Sequence, residues 1–280
     1  MKTKLNILLS FFNKLIAPSG YRFSSMSHQN AIFSPYLKNY EIQGKRFTLW
    51  IPDPISKEWY DGPEQNWDRV GEIQGLASLA HSGNNVLEIG SHIGFHTIFL
   101  AHCVAPRGRI CAIEASSKYA LVAQAQVALN KLCDSVDILN AAASDQTGRL
   151  YFQREHVERA RTANDIQVQG IRGDDLLDSF GPFDILKVDV EGYEEVVLRG
   201  CGTILKQQPR IALEIHLDLL PRYGSSLSTL FELLDIGKYH GEMMIRPDWS
   251  TLHDFNAEAL PSTGVVNLFL RSIEETKGLP

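Results

Sequence analysis

Two stretches decide the fold of this chain: Val86-Leu-Glu-Ile-Gly-Ser-His-Ile-Gly94 and Ile185-Leu-Lys-Val-Asp-Val-Glu-Gly192. Each is a short apolar run that ends at an acidic residue and opens into a glycine turn, which predicts a buried strand followed by a helix. In open α/β sheets, ligands bind outside the carboxyl ends of the strands. The spacing Gly90-x-x-x-Gly94 differs from the Gly-x-Gly-x-x-Gly of dinucleotide sites. It favours a nucleoside cofactor without a pyrophosphate, and S-adenosylmethionine (SAM) is the obvious candidate.

The segments around these stretches continue the alternation of strand and helix, which predicts a parallel sheet with helices on both faces. The expected fold is therefore α/β, with a doubly wound, mostly parallel sheet of seven strands. Residues 1–66 are expected to form an N-terminal extension with a helix, a hairpin turning near Gln43-Gly44 and a loop over Pro52–Pro63, and residues 67–280 the main domain. The predicted strands are Asn85–Ile89, Ile110–Glu114, Val136–Asn140, Phe183–Asp189 and Pro209–His216, with an antiparallel pair at Glu242–Arg246 and Val265–Arg271; the main predicted helices are Trp67–Leu79, Gly94–Val104, Ser117–Leu132, Tyr193–Lys206 and Leu227–Leu234.

The composition is that of a globular protein and argues against a nucleic-acid partner. The chain has 280 residues and a net charge of −6. Proteins that bind nucleic acids usually carry a basic surface, and no long Lys/Arg run occurs here. The four cysteines form no Cys-x-x-Cys pair, so no zinc site is predicted and a cytoplasmic location is expected.

Residues 3–16 carry apolar side chains at helical spacing, which predicts an amphipathic helix rather than a cleaved signal peptide. Asn6, Asn13 and Lys14 interrupt the apolar run, and Ala17-Pro-Ser-Gly20 is a poor cleavage site. Two roles stay open for this helix: packing on the main domain, or docking on a membrane surface or partner protein. No apolar stretch of the sequence is long enough to span a bilayer.

Acidic and glycine residues at the ends of the first two predicted strands form a candidate cofactor site. Gly90 and Gly94 let the backbone pass close to a ligand, and Glu88 can accept a hydrogen bond from a cofactor ammonium group or from water. Glu114 can take both ribose hydroxyls, as acidic residues do in dinucleotide sites. Alternatively, the glycines serve only a tight turn and Glu114 only caps the next helix.

Small residues follow the third predicted strand, in the segment Asn140-Ala-Ala-Ala-Ser-Asp145. They leave a slot for a flat ring, and Asp145 can bond the adenine amino group. The alternative is that Asp145 is a turn residue before Gly148.

Ionisable residues cluster where the fourth and fifth predicted strands end. Lys187 is a charge within an apolar strand and must find a partner if it is buried. Asp189 ends that strand and Glu191 follows it, whereas Glu214 and His216 should reach the same rim from the fifth strand. His216 can act as general base on an acceptor hydroxyl, or it can be an ordinary core residue. The cluster can also hold a divalent cation, but nothing in the spacing demands one, so no metal is predicted.

The chain resembles the FkbM-type family of SAM-dependent methyltransferases in four motifs. These are Val86–Thr97, Ala112-Ile-Glu-Ala115, Asn140–Asp145 and, most distinctively, Leu186-Lys-Val-Asp-Val-Glu-Gly-Tyr-Glu194, and the resemblance spans about residues 84–250. The family often has Pro where this chain has Ala115, and usually Ala and Asn where it has Ser91 and His92. Neither departure threatens cofactor binding, because the backbone and Glu114 would do most of the work.

The resemblance implies a class I methyltransferase fold and O-methylation of a hydroxyl on a sugar, a glycan or a secondary metabolite. The absence of an Asn/Asp-Pro-Pro-Tyr motif argues against an amino group on a nucleic-acid base as acceptor. The residues expected to bind SAM are Glu88, Gly90, Ser91, Gly94, Glu114, Ala115, Asp145 and Asp189. The expected general base is His216, followed by Asp189 or Glu191, and residues 1–66 are expected to cover the pocket or bind the acceptor.

Two other functions stay open on the sequence alone. A nicotinamide-dependent oxidoreductase is disfavoured by the missing third glycine of the dinucleotide motif. A SAM-binding sensor or scaffold without catalysis is compatible with the same motifs, because cofactor binding and acceptor chemistry use different residues.

Overall fold

The computed structural model describes residues 33–62, 67, 70–153, 156–158 and 166–277. The described chain begins with an antiparallel hairpin of β1 (Tyr36–Ile42) and β2 (Lys45–Ile51). The hairpin turns at Gln43-Gly44, as predicted, and both residues of the turn have positive φ. The predicted helix over residues 3–16, with its two open roles, lies outside the described residues.

The other helices and strands follow the predicted alternation. In chain order they are α1 (Pro54–Tyr60), α2 (Gly71–Leu79), β3 (Asn85–Ile89), α3 (Phe95–Val104), β4 (Arg109–Glu114), α4 (Ser117–Leu129), β5 (Val136–Asn140), β6 (Ala142–Ala143), β7 (Gly148–Gln153), β8 (His156–Glu158), β9 (Ile166–Ile171), α5 (Leu177–Phe180), β10 (Ile185–Val188), α6 (Glu194–Arg199), α7 (Gly202–Lys206), β11 (Arg210–His216), α8 (Leu227–Leu234), β12 (Tyr239–Ile245), β13 (His253–Asp254), β14 (Val265–Ser272) and α9 (Ile273–Lys277). None of the helices in these ranges combines the length and apolar character needed to cross a lipid bilayer.

The central sheet has eight strands in the order β13-β12-β14-β11-β10-β3-β4-β5. The strands from β11 to β5 are parallel, whereas β14 and β12 run antiparallel to their neighbours. This confirms the predicted doubly wound, mostly parallel sheet, including the pairing of the fourth predicted strand with the first. The eighth strand, β13, adds two residues at one edge. A small second sheet contains β6 to β9.

Apolar residues pack on both faces of the central sheet, because successive residues of a strand point to opposite sides. Val86 belongs to the core shared with α2, α3, α4 and the hairpin. Its neighbour Leu87 belongs to the core shared with α6, α7 and α8. The hairpin contributes buried residues to the first of these cores, so it packs directly on the helices of the main domain. The domain boundary after residue 66 stays a prediction.

The predicted loop over Pro52–Pro63 is wrong, because α1 occupies most of it. Asp53 caps this helix by accepting a hydrogen bond from the backbone N–H of Ser56 at 2.8 Å, and Pro54 occupies the first turn. An Asp followed by Pro is a typical start of a helix. This local signal at Asp53-Pro54 outweighs the Pro- and Trp-rich composition that predicted a loop. The predicted helix Tyr193–Lys206 is also two shorter helices, α6 and α7.

Two amide side chains of α4 and its C-terminus hold β2 in place. The Gln126 side chain accepts from the N–H of Trp50 at 2.9 Å and donates to its C=O at 2.7 Å. Asn130 makes the same pair of bonds with Thr48, at 2.9 and 2.8 Å. Each side chain therefore replaces a neighbouring strand for one residue of β2. Since α1 directly follows β2, these bonds also set the position of α1.

Replacing Gln126 with Ala is expected to destabilise the protein by about 2–4 kcal/mol, because it leaves a buried N–H and C=O of Trp50 without partners. Gln124→Ala is the matched control, since Gln124 lies on the same helix but is exposed and, within the described part of the chain, bonds the Ile138 carbonyl. Urea unfolding of both variants measures the difference. Equal stability of the two variants would contradict this account of how the hairpin docks.

Candidate functional site

A cavity opens at the carboxyl ends of β3, β4 and β10, where the sheet changes direction of winding. Its lining comes from strand ends and turns at Ile89, Gly90, His92, Ile113, Glu114, Ala115, Ser116, Ala141, Ala142, Ala143, Asp189, Val190, Glu191 and Tyr193, and from the helical residues Ile55, Trp59, Tyr60 and Tyr119. The position agrees with the site predicted from the sequence.

The structure brings only part of the predicted site to the cavity surface. The predicted residues in its lining are Gly90, Glu114, Ala115, Asp189 and Glu191. Those outside the lining are Glu88, Ser91, Gly94, Asp145 and His216. The individual binding roles of both groups stay predictions, but their surroundings separate residues that can touch a ligand from residues that act through a neighbour.

Glu114 is held at the rim by two backbone donors. Its Oε2 accepts from the N–H of His92 and its Oε1 from the N–H of Ser116, both at 2.7 Å. Burial raises the pKa of this carboxyl to about 7, although the two backbone bonds act in the opposite direction. Each oxygen keeps a further lone pair, so the carboxylate is oriented and can still accept two hydroxyl donors from the cavity.

Gly90 directly follows β3 and packs against the backbone of Asp189, which directly follows β10. Its φ is +89°, and a Cβ built on it would lie 1.8 Å from the carbonyl oxygen of Asp189. Only glycine fits such a contact. Gly94, with φ of +86°, starts α3 and lies just behind this turn.

Glu88 lies beneath the cavity as part of a buried ion-pair network. It is fully buried, accepts from the Thr97 hydroxyl at 2.6 Å and lies 3.5 Å from Nζ of Lys187. The same Nζ is 3.8 Å from Asp189. The expectation that Lys187 needs a partner is therefore confirmed. Lys187 also links the buried Glu88 to Asp189, which lines the cavity.

The small residues after β5 form part of the cavity wall, whereas Asp145 does not. Ala141, Ala142 and Ala143 line the cavity, which is compatible with the predicted slot for a flat ring. Asp145 accepts from the hydroxyl of Ser144 at 3.2 Å and lies outside the lining. The bond from Asp145 to an adenine amino group stays a prediction.

His216 is enclosed by carboxylates. Its Nδ1 lies 3.0 Å from Glu194, and its Nε2 lies 3.1 Å from Glu191 and 3.3 Å from Glu214. Burial alone would lower the pKa of His216, but the hydrogen bonds with Glu194 and Glu214 raise it to about 11. The role of His216 as general base stays a prediction. The His216 side chain lies outside the cavity lining and both of its ring nitrogens face carboxylate oxygens, so it is less well placed than Asp189 or Glu191 to accept a proton from a bound acceptor.

Asp189 and Glu191 are the carboxylates of this cluster that reach the cavity. Their side chains are 26 % and 29 % exposed, against 4 % for Glu214. Burial and the nearby Glu214 raise the pKa of Asp189 to about 7, although Lys187 acts in the opposite direction. Of the three predicted catalytic residues, these two can touch a bound acceptor.

An aromatic wall faces the strand ends, and sequence reasoning missed it. Tyr60 and His92 are joined by a 3.0 Å hydrogen bond between the Tyr hydroxyl and Nδ1. The His92 ring centroid is 3.9 Å from that of Tyr119 and 6.5 Å from that of Trp59. Burial lowers the pKa of His92 to about 4, so this ring is neutral. Tyr60 and Trp59 reach the cavity only because α1 docks there, and the helix-start signal at Asp53 was the available clue.

The family model of the FkbM methyltransferase domain matches residues 88–244. The chain belongs to this family. Its cofactor is accordingly SAM, and the resemblance inferred from the four motifs is confirmed. No curated protein sequence matches the chain.

Several solved structures are similar to this chain at low sequence identity and low TM-score. A SAM-dependent methyltransferase from Aquifex aeolicus is 14% identical, with 79% of this chain and 99% of that chain covered and a TM-score of 0.44. An O-methyltransferase from Bacillus cereus in complex with S-adenosylhomocysteine (SAH) is 16% identical, with coverages of 72% and 76% and a TM-score of 0.40. An rRNA methylase from Streptococcus thermophilus is 11% identical, with coverages of 72% and 94% and a TM-score of 0.45. Such distant likeness carries no argument about the acceptor.

The residues of the cavity fit SAM. Glu114 presents an oriented carboxylate for a ribose diol, and the alanines after β5 leave room for a flat base. Gly90 keeps the turn at the end of β3 free of side-chain atoms. The nearby surplus of carboxylates suits a cofactor that carries a sulfonium and an ammonium group.

Proposed function

We propose that this chain is a SAM-dependent O-methyltransferase that acts on a hydroxyl of a sugar, a glycan or a secondary metabolite. The observation that carries the proposal is that one cavity contains both Glu114, a carboxylate oriented by two backbone donors, and two further carboxylates, Asp189 and Glu191. The first suits the cofactor and the second pair suits a hydroxyl that must lose its proton.

The chemistry needs little more from the protein than placement and a proton acceptor. When bound, SAM supplies a methyl group that is already activated on a sulfonium. The cavity walls hold the acceptor oxygen in line and exclude water. Asp189 or Glu191 takes the hydroxyl proton, because both carboxylates line the cavity.

The mouth of the cavity supports a small or sugar-like acceptor. Ile55 and Trp59 of α1 line the cavity and are 42 % and 45 % exposed. A flat aromatic surface beside carboxylates suits the apolar face and the hydroxyls of a sugar ring. The net charge of −6 disfavours a nucleic acid. Since α1 belongs to the N-terminal extension, this extension is proposed to cover the pocket, and the protein is proposed to work in the cytoplasm.

Isothermal titration with SAH tests the cofactor half of the proposal. Glu114→Gln is expected to weaken SAH binding by about 30-fold to 1,000-fold, because hydrogen bonds to a charged acceptor contribute about 2–4 kcal/mol in total. Glu41→Gln is the control, since Glu41 is exposed and pairs with Arg46 on the hairpin. Equal affinity of both variants would remove Glu114 from the cofactor site.

The affinity for SAH is also expected to fall as the pH falls through 7. Ribose hydroxyls donate to the ionised form of Glu114, whose pKa is raised to about 7 by burial. Protonation below this pKa removes the acceptor, so binding weakens about tenfold per unit of pH once the pH is below the pKa. His92 stays neutral across this range because its pKa is about 4. Titrations between pH 5.5 and 8.5 should show this slope in the wild type and a smaller one in Glu114→Gln, and Asp189→Asn measures the share of Asp189, whose pKa is also raised to about 7 by burial and Glu214.

Transfer of a labelled methyl group to a panel of monosaccharides, oligosaccharides and phenolic metabolites tests the acceptor half. The label should enter a product that resists mild alkali, which hydrolyses methyl esters but leaves methyl ethers intact. Label found only in alkali-sensitive or amine products would contradict O-methylation of a hydroxyl. SAH binding without transfer to any acceptor class would favour the sensor or scaffold alternative.

A further inference from the structure

We propose that Asp189, Glu214 and His216 bind a divalent transition-metal cation, best matched by Mn²⁺, at the edge of the cavity. This differs from the expectation of no metal that the sequence alone suggests. The role of the ion in catalysis rests on the proposed function, whereas the binding of the ion does not.

The three side chains converge from the ends of two adjacent strands. Asp189 follows β10 and the other two residues lie on its parallel neighbour β11. One ligand atom from each residue lies within 4.8 Å of the others. This is close to the separation of roughly 3–4 Å between ligands around one small cation. Two carboxylates and one imidazole form a mixed donor set that suits Mn²⁺ or Fe²⁺.

The rear nitrogen of His216 gives an independent indication. Nδ1 lies 3.0 Å from Oε1 of Glu194, and the N–H of Gly192 fixes the same oxygen at 2.8 Å. Oε2 of Glu194 is buried and finds no hydrogen-bond partner among the described residues. A carboxylate behind a histidine is the usual second partner of a metal-binding imidazole, because it holds the ring and directs the other nitrogen outward. Here that other nitrogen, Nε2, faces Glu191 and Glu214.

The two carboxylate oxygens of Glu214 have different partners. Its Oε2 accepts from Arg246 and from the Asn267 amide, both at 2.7 Å. Its Oε1 faces Nε2 of His216 at 3.3 Å. One oxygen is therefore anchored, and the other points toward the proposed ligand position.

Negative charge exceeds positive charge around this position. Asp189, Glu191, Glu194 and Glu214 are four carboxylates, whereas the neighbouring fixed cations are Arg246 and Lys187. Lys187 is shared with the buried Glu88. A lone pair on Nε2 that faces carboxylate oxygens requires a cation between them, which is either a proton or a metal ion. The surplus of carboxylates makes a divalent ion the better match.

In the proposed reaction, the ion binds the acceptor hydroxyl and lowers its pKa. The hydroxyl proton passes to Glu191, which is the carboxylate of the cluster left to act as base. The oxygen electron pair then forms the new bond to the methyl carbon, and the electron pair of the breaking carbon–sulfur bond leaves with sulfur. No oxidant or reductant is needed.

Mn²⁺ binding to the full chain, after treatment with EDTA, tests the proposal. The free-Mn²⁺ signal in electron paramagnetic resonance should fall as a single ion binds per chain. Asp189→Asn, Glu214→Gln and His216→Ala should each weaken binding at least about 100-fold, and Glu194→Gln by about 10-fold to 100-fold. Asp137→Asn, at the far edge of the sheet, should bind as the wild type does. The proposal would be contradicted if the wild-type protein did not bind Mn²⁺ at millimolar concentration, or if all variants bound Mn²⁺ equally well.

A measurement on the wild type covers the case in which the variants fail to fold. Mn²⁺ should broaden the ring-nitrogen resonances of His216 first in the nuclear magnetic resonance spectrum of ¹⁵N-histidine protein. Broadening that begins at the exposed His253 would place the ion elsewhere. SAH titration of the EDTA-treated protein separates the proposed metal site from the proposed methyltransferase function. If the protein binds SAH but not Mn²⁺, only the metal site is contradicted.

Discussion

Asp189→Asn and Glu191→Gln are each expected to lower kcat by about 10²-fold to 10⁴-fold, the usual cost of removing a group that moves or stabilises a transferred proton. Both carboxylates line the cavity, and both lie beside the cluster that ends at His216. Since Glu114 is the carboxylate that two backbone donors orient at the cavity, we expect the SAH affinity of both variants to change less than tenfold. The measurement is methyl transfer to the best acceptor of the panel, with KM and kcat determined separately.

The comparison of the two variants also identifies the base. If Asp189 is a metal ligand, Asp189→Asn loses Mn²⁺ binding together with turnover. Glu191→Gln then loses turnover while it keeps Mn²⁺, because the three ligands remain. Asp137→Asn controls for the loss of a carboxylate far from the cavity. Full activity in both Asp189→Asn and Glu191→Gln would place the proton acceptor outside this cluster.

The rim of the sheet was predictable from the sequence because its determinants are local. An apolar run ending at Asp189, or at Glu114, fixes both the end of a strand and the residue at its carboxyl end. The parallel arrangement then brings these ends together, so the convergence of Asp189, Glu214 and His216 could be expected before the structure was known.

The enclosure of His216 by carboxylates and the aromatic wall were not predictable in the same way. Glu194 is the first residue of α6, which follows β10, and its carboxylate lies 3.0 Å from Nδ1 of His216. Trp59 and Tyr60 reach the cavity only through the docking of the hairpin on α4, which depends on Gln126. These tertiary contacts join residues far apart in the sequence, and no local motif or hydrophobic periodicity indicates which distant residues will meet.

Gly90→Ala is expected to abolish SAH binding and to destabilise the protein by about 4 kcal/mol or more, a size typical of severe backbone or packing conflicts. The added methyl would lie 1.8 Å from the carbonyl oxygen of Asp189, at a φ of +89° that alanine tolerates poorly. The turn must therefore move away from β10, and both Glu114-bound His92 and Asp189 move with it. Thermal unfolding and SAH titration measure the two effects.

Gly83→Ala separates the steric contact from the backbone conformation. Gly83 has a φ of +94°, close to that of Gly90, but a Cβ there would meet nothing within 4 Å. The control should therefore cost only the conformational part, about 1–2 kcal/mol, and should bind SAH as the wild type does. Similar losses of stability in the two variants would show that the positive φ, and not the close approach of β3 to β10, makes glycine necessary at position 90. The contact between Gly90 and the Asp189 carbonyl also sets Asp189 beside the end of β3. A larger loss of stability and SAH affinity in Gly90→Ala than in Gly83→Ala would therefore link the turn after β3 to the position of Asp189 in the proposed metal site.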